Sequence, residues 1–373
     1  MEDRIDEMLE ERVTADEAYE KKVNTEIRTG MIRTIYSRVL IVFLVIALIC
    51  MGGYSAYLSY RESHAFHLDQ FENLADAGAV RDEAIRQCIN TSFLIQCYYE
   101  VTQPGYYIYT NGSVQATRES YETFRMEPLH LVHYFKTNKE ASRSASVIES
   151  VRVTRFLEPT YYSAYEGSFY LEGQPYSWWA GSREYIDIVK GSIPSPEDEL
   201  SDLSASASAE IELLFKRDMS VEEMLAFAKE YPESEILFAL TGLPNEENAF
   251  MPEGFSLLFG ACNMAFSKEA MNKYPMIGMS PNFSMGNAKP KYTAEDYVTH
   301  YKSVLSLLIN NRFGYLYEIE QWQRRLDKLE KGEELRVIGV RIISSRNDAL
   351  NLTQDERIQD LHILDMKMNR FDN

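Results

Sequence analysis

The sequence predicts an α+β protein carried on a single transmembrane helix, and three patterns predict it. Residues 39–60 contain no charged side chain. Residues 98–170 hold short aromatic and β-branched runs separated by turn residues. Residues 210–366 contain two strand–helix–strand units with longer helices between them. The resulting organisation is a tail over 1–37, a membrane helix over 38–60, and a β-rich membrane-proximal domain over 61–190. A linker over 191–209 and a C-terminal domain over 210–373 follow.

The tail is charged throughout and has no glycine before Gly30. Ile5, Met8, Leu9 and Val13 recur at helical spacing and form one narrow apolar stripe. A lone helix cannot bury such a stripe. It is either a solvated helix leading into the membrane or a docking helix that lays those four residues into a partner's groove. The tail holds neither Cys nor His, so a zinc-stabilised domain is not expected there.

The span follows. Val39 to Ile49 is aliphatic but for Phe43, and 22 uncharged residues in a helix cover about 33 Å, the thickness of a bilayer's hydrocarbon core. Lys21, Lys22, Arg28, Arg33 and Arg38 precede it with only Glu26 against them, which predicts a cytoplasmic N-terminus. Tyr54, Tyr57 and Tyr60 suit the far interface. A cleaved signal peptide fits less well, because the 38 residues before the apolar core include many carboxylates.

Beyond the span, residues 61–88 read as a helix carrying Phe66, Phe71, Leu74 and Ile85. Tyr98–Val101, Gly105–Tyr109, Val151–Val153, Tyr161–Tyr165 and Ser168–Tyr170 read as strands, with Asn111-Gly112 as a hairpin turn. The Ser- and Pro-rich stretch after Gly191 reads as the linker. Then come a strand at Glu210–Phe215, a helix opened by Ser220 with Glu223 three residues on, and a strand at Glu235–Leu240. Helices follow from Thr293 through Ile309 and over Ile319–Glu330. A strand at Leu335–Ser344, a helix at Arg346–Thr353 and a strand at Ile358–Met366 close the chain. With the middle set aside the order is β-α-β, β-α-β. That order predicts a ferredoxin-like, split β-α-β domain, an antiparallel sheet with helices on one face and a helical insertion.

Composition bounds the function. A formal charge of −19 argues against coating nucleic acid, which needs clustered Lys and Arg. Four cysteines are few for a disulfide scaffold. Cys88 and Cys97 bracket a short segment and could pair in an oxidising compartment, although buried free thiols are the simpler expectation.

Several of these residues together resemble one family. The basic juxtamembrane tail leads to Tyr98-Tyr99-Glu100-Val101-Thr102-Gln103-Pro104-Gly105-Tyr106 soon after the span. Ile211–Leu240 surrounds Phe215-Lys216-Arg217-Asp218-Met219-Ser220-Val221-Glu222-Glu223, and Ile338-Gly339-Val340-Arg341-Ile342-Ile343-Ser344 precedes Leu350 and Ile358–Ile363. Over most of residues 20–370 this pattern resembles the sigma-factor-regulator (anti-sigma factor) family of Gram-positive bacteria, in both its N- and C-terminal domains. The resemblance implies a membrane protein that restrains an alternative sigma factor through its cytoplasmic tail while an extracytoplasmic domain senses the envelope or binds a partner. It leaves room for a second membrane regulator subunit. It implies no direct contact with nucleic acid, no cofactor and no catalytic residues.

Other chemistry is sparse. His64 and His67, and His130 and His133, are pairs three apart with Asp69 and Glu127 as the nearest carboxylates, short of a zinc ligand set. Gly254-Phe255-Ser256-Leu257-Leu258 lacks the second glycine of a nucleophile elbow, and no phosphate-binding glycine loop occurs. Trp178-Trp179, between Tyr176 and Tyr185, could stack on a sugar, which supports an alternative reading as a membrane-anchored glycan-binding module or hydrolase.

Overall fold

A computed structural model describes residues 2–63, 65–103, 105–109, 114–133, 146–148, 150–156, 168–172, 195–242, 253–257, 265–279 and 292–368. The chain divides into two compact units, Met1–Ala65 and Phe66–Asn373.

The first unit is one helix, α1, over Glu2–Ser63. Its 62 residues rise about 93 Å at the usual 1.5 Å each. It is long and apolar enough to cross a membrane. Its apolar side chains are exposed, Leu40 at 62% and Phe43 at 71%, whereas a core helix would hide them. Ile5, Met8, Leu9 and Val13 lie on helical backbone, and their side chains fall outside the described residues.

The helix expected over 61–88 is displaced. α1 stops at Ser63, a single 3-10 turn covers Leu68–Gln70, and helix α2 runs from Glu83 to Thr102. Side chains take over the backbone bonding in between. Asp76 accepts from Gly78 N at 2.8 Å, and Asn90 Oδ1 accepts from Leu74 N and Ala75 N at 3.1 Å. Asp82 caps α2, accepting from Ala84 N and Ile85 N. The strand expected at Tyr98–Val101 is therefore the last turn of α2. Aromatic and β-branched content suggested a strand, but Cys88, Thr91, Ile95, Tyr98 and Thr102 are spaced by three and four and are all buried.

Two small antiparallel sheets come next. Strands β1 (Tyr106–Tyr109), β4 (His130–His133) and β5 (Ser146–Ile148) form one, in the order β1-β4-β5. Strands β2 (Gln115–Arg118), β3 (Thr123–Glu127), β6 (Val151–Phe156) and β7 (Ser168–Glu172) form the other, in chain order. β1 pairs with β4 and β2 with β3, so the two strands flanking Asn111-Gly112 belong to different sheets. Asn111-Gly112 itself, Tyr161–Tyr165 and Trp178-Trp179 lie outside the described residues.

The stretch read as a linker carries helix α3, Pro196–Ser201, capped by Ser195 and with Leu200 buried. Strand β8 (Ala207–Ser220) starts within it. Helix α4 (Val221–Glu230) opens with the expected capping box, Ser220 and Glu223 bonding each other's backbone amides. Strands β9 (Ser234–Gly242) and β10 (Gly254–Ser256), helices α5 (Lys268–Lys273), α6 (Ala294–Asn310) and α7 (Leu316–Glu330), strand β11 (Arg336–Ser345), helix α8 (Arg346–Thr353) and strand β12 (Ile358–Met368) complete the chain. Their five strands form an antiparallel sheet in the order β10-β9-β11-β8-β12. Alternate residues of β8, Ala209, Ile211, Leu213 and Phe215, are buried in one core with Met224 and Phe227 of α4 and Ala349 and Leu352 of α8. Phe215 and Phe227 meet edge to face at 5.3 Å. Each such side chain contributes about 1.5–3 kcal/mol on burial.

α2 belongs to that core as well. Its Phe93, Leu94 and Tyr98 share a cluster with Tyr301, Leu305 and Leu308 of α6 and with Trp322 of α7. Residues expected to form a separate membrane-proximal domain are thus packed with those expected to form the C-terminal one.

Candidate functional site

Helices α6 and α7 place charge where their spacing calls for apolar groups. The inner stripe of α6 reads Tyr297, His300, Tyr301, Val304 and Leu308; that of α7 reads Glu318, Trp322, Arg325 and Leu329, and all are buried. Thr293 and Asp296 cap α6 reciprocally, fixing its start and so the height of His300. Gly314, at φ 142°, makes the turn into α7, and a Cβ there would sit 2.8 Å from the Trp322 ring.

Arg325 is fully buried and is the centre of one polar cluster. Its NH1 donates to Thr241 Oγ1 at 2.8 Å and to Tyr301 OH at 3.0 Å, and it pairs with Glu253 Oε1 at 3.0 Å. Tyr301 OH donates to the same carboxylate oxygen at 3.1 Å, and Gln321 Nε2 to the other at 3.0 Å. One guanidinium thereby joins α6, α7, the end of β9 and the residue before β10.

Glu318, one turn before Trp322, accepts from Tyr98 OH at 3.0 Å and from Tyr315 N at 2.8 Å. Burial pushes its carboxyl up to about 7, although both hydrogen bonds oppose the rise. His300 Nε2 lies 2.5 Å from Glu100 Oε1 of α2, and its Nδ1 is 2.8 Å from Met276 O. Burial alone would lower the imidazole. The Glu100 charge, its hydrogen bond and the Met276 carbonyl outweigh burial and raise it above its ordinary value. Two acceptors on two ring nitrogens call for an imidazolium. Met276 itself has φ 62°, a left-handed residue in the turn after α5.

A second cluster lies on the other face of the five-stranded sheet. Arg341, Glu212 and His362 are register partners across β11, β8 and β12. Arg341 Nε bonds Glu210 Oε1 at 2.7 Å, and burial pushes Glu212 up to about 8. No family model, no curated protein and no solved structure matches this chain. The chemistry of these clusters therefore stands on their geometry alone: buried carboxylates, two guanidinium groups and an imidazole, hydrogen-bonded across helices and strands.

His67 follows α1 in extended backbone, its Nδ1 3.1 Å from Arg118 NH2, and His64 is outside the described residues. His130 and His133 stand on strand β4, not on a helix. Among the described residues no group of three or more metal-ligating side chains comes together. Cys88 and Cys97 are buried and not joined in a disulfide. Nine residues along α2 separate them by about 13.5 Å, beyond disulfide reach. Sequence reasoning missed Glu100, Glu253, His300, Glu318 and Arg325. The available signal was charge on a stripe: Glu318 and Arg325 fall at spacings of four and three around Trp322.

Proposed function

We propose that this chain is a single-pass membrane regulator that binds and restrains an alternative sigma factor through its cytoplasmic tail. Its N-terminus lies in the cytoplasm and its larger unit outside the cell. The observation that carries the reading is α1. One uninterrupted helix joins the charged stretch bearing Ile5, Met8, Leu9 and Val13 to 22 uncharged residues that suit a bilayer. A partner seated on that stripe is held at the membrane and away from its polymerase. The strand order β9-β11-β8-β12, antiparallel throughout with α4 and α8 as connections, supports a ferredoxin-like, split β-α-β assignment with α5–α7 as the helical insertion.

The test is capture by the detergent-solubilised full chain of each alternative sigma factor of its host, with Ile5→Asp/Leu9→Asp beside it. Loss of two anchors of an apolar stripe should weaken capture by roughly 100-fold. Undiminished capture by the double variant, or no capture by either protein, rejects the reading. Protease shaving of intact cells tests orientation separately: residues beyond 61 should be cut and a tag at Met1 spared.

A further inference from the structure

The segment between the acidic start of the chain and the span has its own chemistry. Residues 1–20 hold nine carboxylates against Arg4 and Arg12, whereas residues 21–38 hold Lys21, Lys22, Arg28, Arg33 and Arg38 against Glu26 alone. Within α1, Tyr19, Val23, Ile27, Met31 and Ile35 recur at every fourth residue. A constant step of four drifts by about 40° each time, so these five spread across half the helix circumference. Lys21, Lys22, Arg28 and Arg33 fall on the other half with Ile32, whereas Arg38, at the start of the span, falls on the apolar side. Ile27, Met31 and Ile35 are 55–65% exposed.

The width of the stripe selects the partner. A seam against a second helix needs alternating steps of three and four and stays narrow. A half-circumference swath flanked by cations is what a helix half-sunk in a lipid interface presents. The same stretch is built to bend. Thr25, Thr29 and Thr34 return hydrogen bonds to carbonyls four residues back at 2.6, 2.6 and 2.8 Å, Ser37 bonds Thr34 O at 2.9 Å, and Gly30 stands among them with open space where a Cβ would sit. Hydroxyl back-bonding of this kind bends helices.

We infer that residues 19–35 form an amphipathic docking segment for an anionic bilayer surface, burying Val23, Ile27, Met31 and Ile35 among acyl chains while Lys21, Lys22, Arg28 and Arg33 meet lipid phosphates. Residues 1–20, being acidic, are repelled from the same surface and project from it. The inference rests on the membrane-anchor part of the proposed function, and not on the sigma factor.

The test is hydrogen exchange on the full chain in nanodiscs holding one chain each, made of phosphatidylcholine alone or with phosphatidylglycerol. Amides of residues 23–35 should exchange roughly tenfold more slowly in the anionic discs, and about 0.5 M NaCl should remove most of that difference. Lys21→Glu/Lys22→Glu/Arg28→Glu/Arg33→Glu should abolish it while residues 1–15 exchange alike in both. Equal rates in the two lipids overturn the inference. So does protection that grows with the number of chains per disc, which would mark a second copy as the occupant. Failure of the chain to enter discs at all would instead overturn the anchor beneath it.

Discussion

Arg325→Met is the sharpest probe of the buried network. The substitution keeps the unbranched stem of a side chain that has no exposed surface and removes its charge. Glu253, 6% exposed, then keeps hydrogen bonds from Tyr301 at 3.1 Å and Gln321 at 3.0 Å but loses the guanidinium charge 3.0 Å away. Breaking a buried pair from one side typically costs about 3–5 kcal/mol, because a desolvated charge is left behind. That is a large share of the roughly 5–15 kcal/mol by which domains are stable. Arg325→Met/Glu253→Gln should recover about 1–3 kcal/mol, since the amide can still accept from Tyr301 and carries no charge. Urea unfolding of the full chain in mild detergent, followed by near-ultraviolet circular dichroism, reads the packed unit without the long helix. A loss below about 1 kcal/mol for the single variant would refute the reasoning. A double variant no more stable than the single one would refute it too.

Two further perturbations test neighbouring parts. The Glu318 carboxyl is raised from 4.5 to about 7 in the folded chain, so the native state binds more protons between those values, and stability falls as pH rises through that window. Glu318→Gln should match wild type at pH of about 4 and exceed it by about 3 kcal/mol at pH of about 8, seen as a pH-dependent gap between urea midpoints. His300, also raised, acts in the same sense: its contribution is complete below about 6.5 and fades as pH rises past its folded value. Gly339, at the irregularity in β11, would place a Cβ 2.3 Å from Leu213 O of the neighbouring strand. Gly339→Ala should therefore cost about 1–3 kcal/mol in the same unfolding assay, although Ala is ordinarily the better residue in a strand.

Local patterns were legible wherever the chain's own neighbours decide the structure. Ser220 and Glu223 mark the start of α4, Thr293 that of α6, and Arg346–Thr353 is a helix with the bounds its sequence suggests. The 22 uncharged residues likewise declare an apolar helix without reference to anything distant. Where the chain was misread, residues far away decide. Residues 71–75 leave the helical path where Asn90 and Asn311 take up amides, Asn90 Oδ1 accepting from Leu74 N and Ala75 N and Asn311 Oδ1 from Glu72 N at 2.7 Å. Tyr98–Val101 carries strand-like residues, yet it is helix because aromatic groups of α6 and α7 surround it on that spacing.

The candidate site was less legible than the fold for a related reason. Its bonds join residues at very large separations, 200 for Glu100 with His300 and 220 for Tyr98 with Glu318. No window of sequence contains both partners, so each charge reads as a solvated surface group until its opposite is found. Such contacts are reached only after long loops close, and loop closure is rewarded late. The charges also do more than a hydrocarbon core would. An apolar α2 could slide along α6 by a turn with little loss. Glu100 must meet His300, and Tyr98 must meet Glu318, which holds α2 in one register against two helices at once. The cost is stability at higher pH, where Glu318 ionises in a buried site and His300 loses the proton that it shares with Glu100.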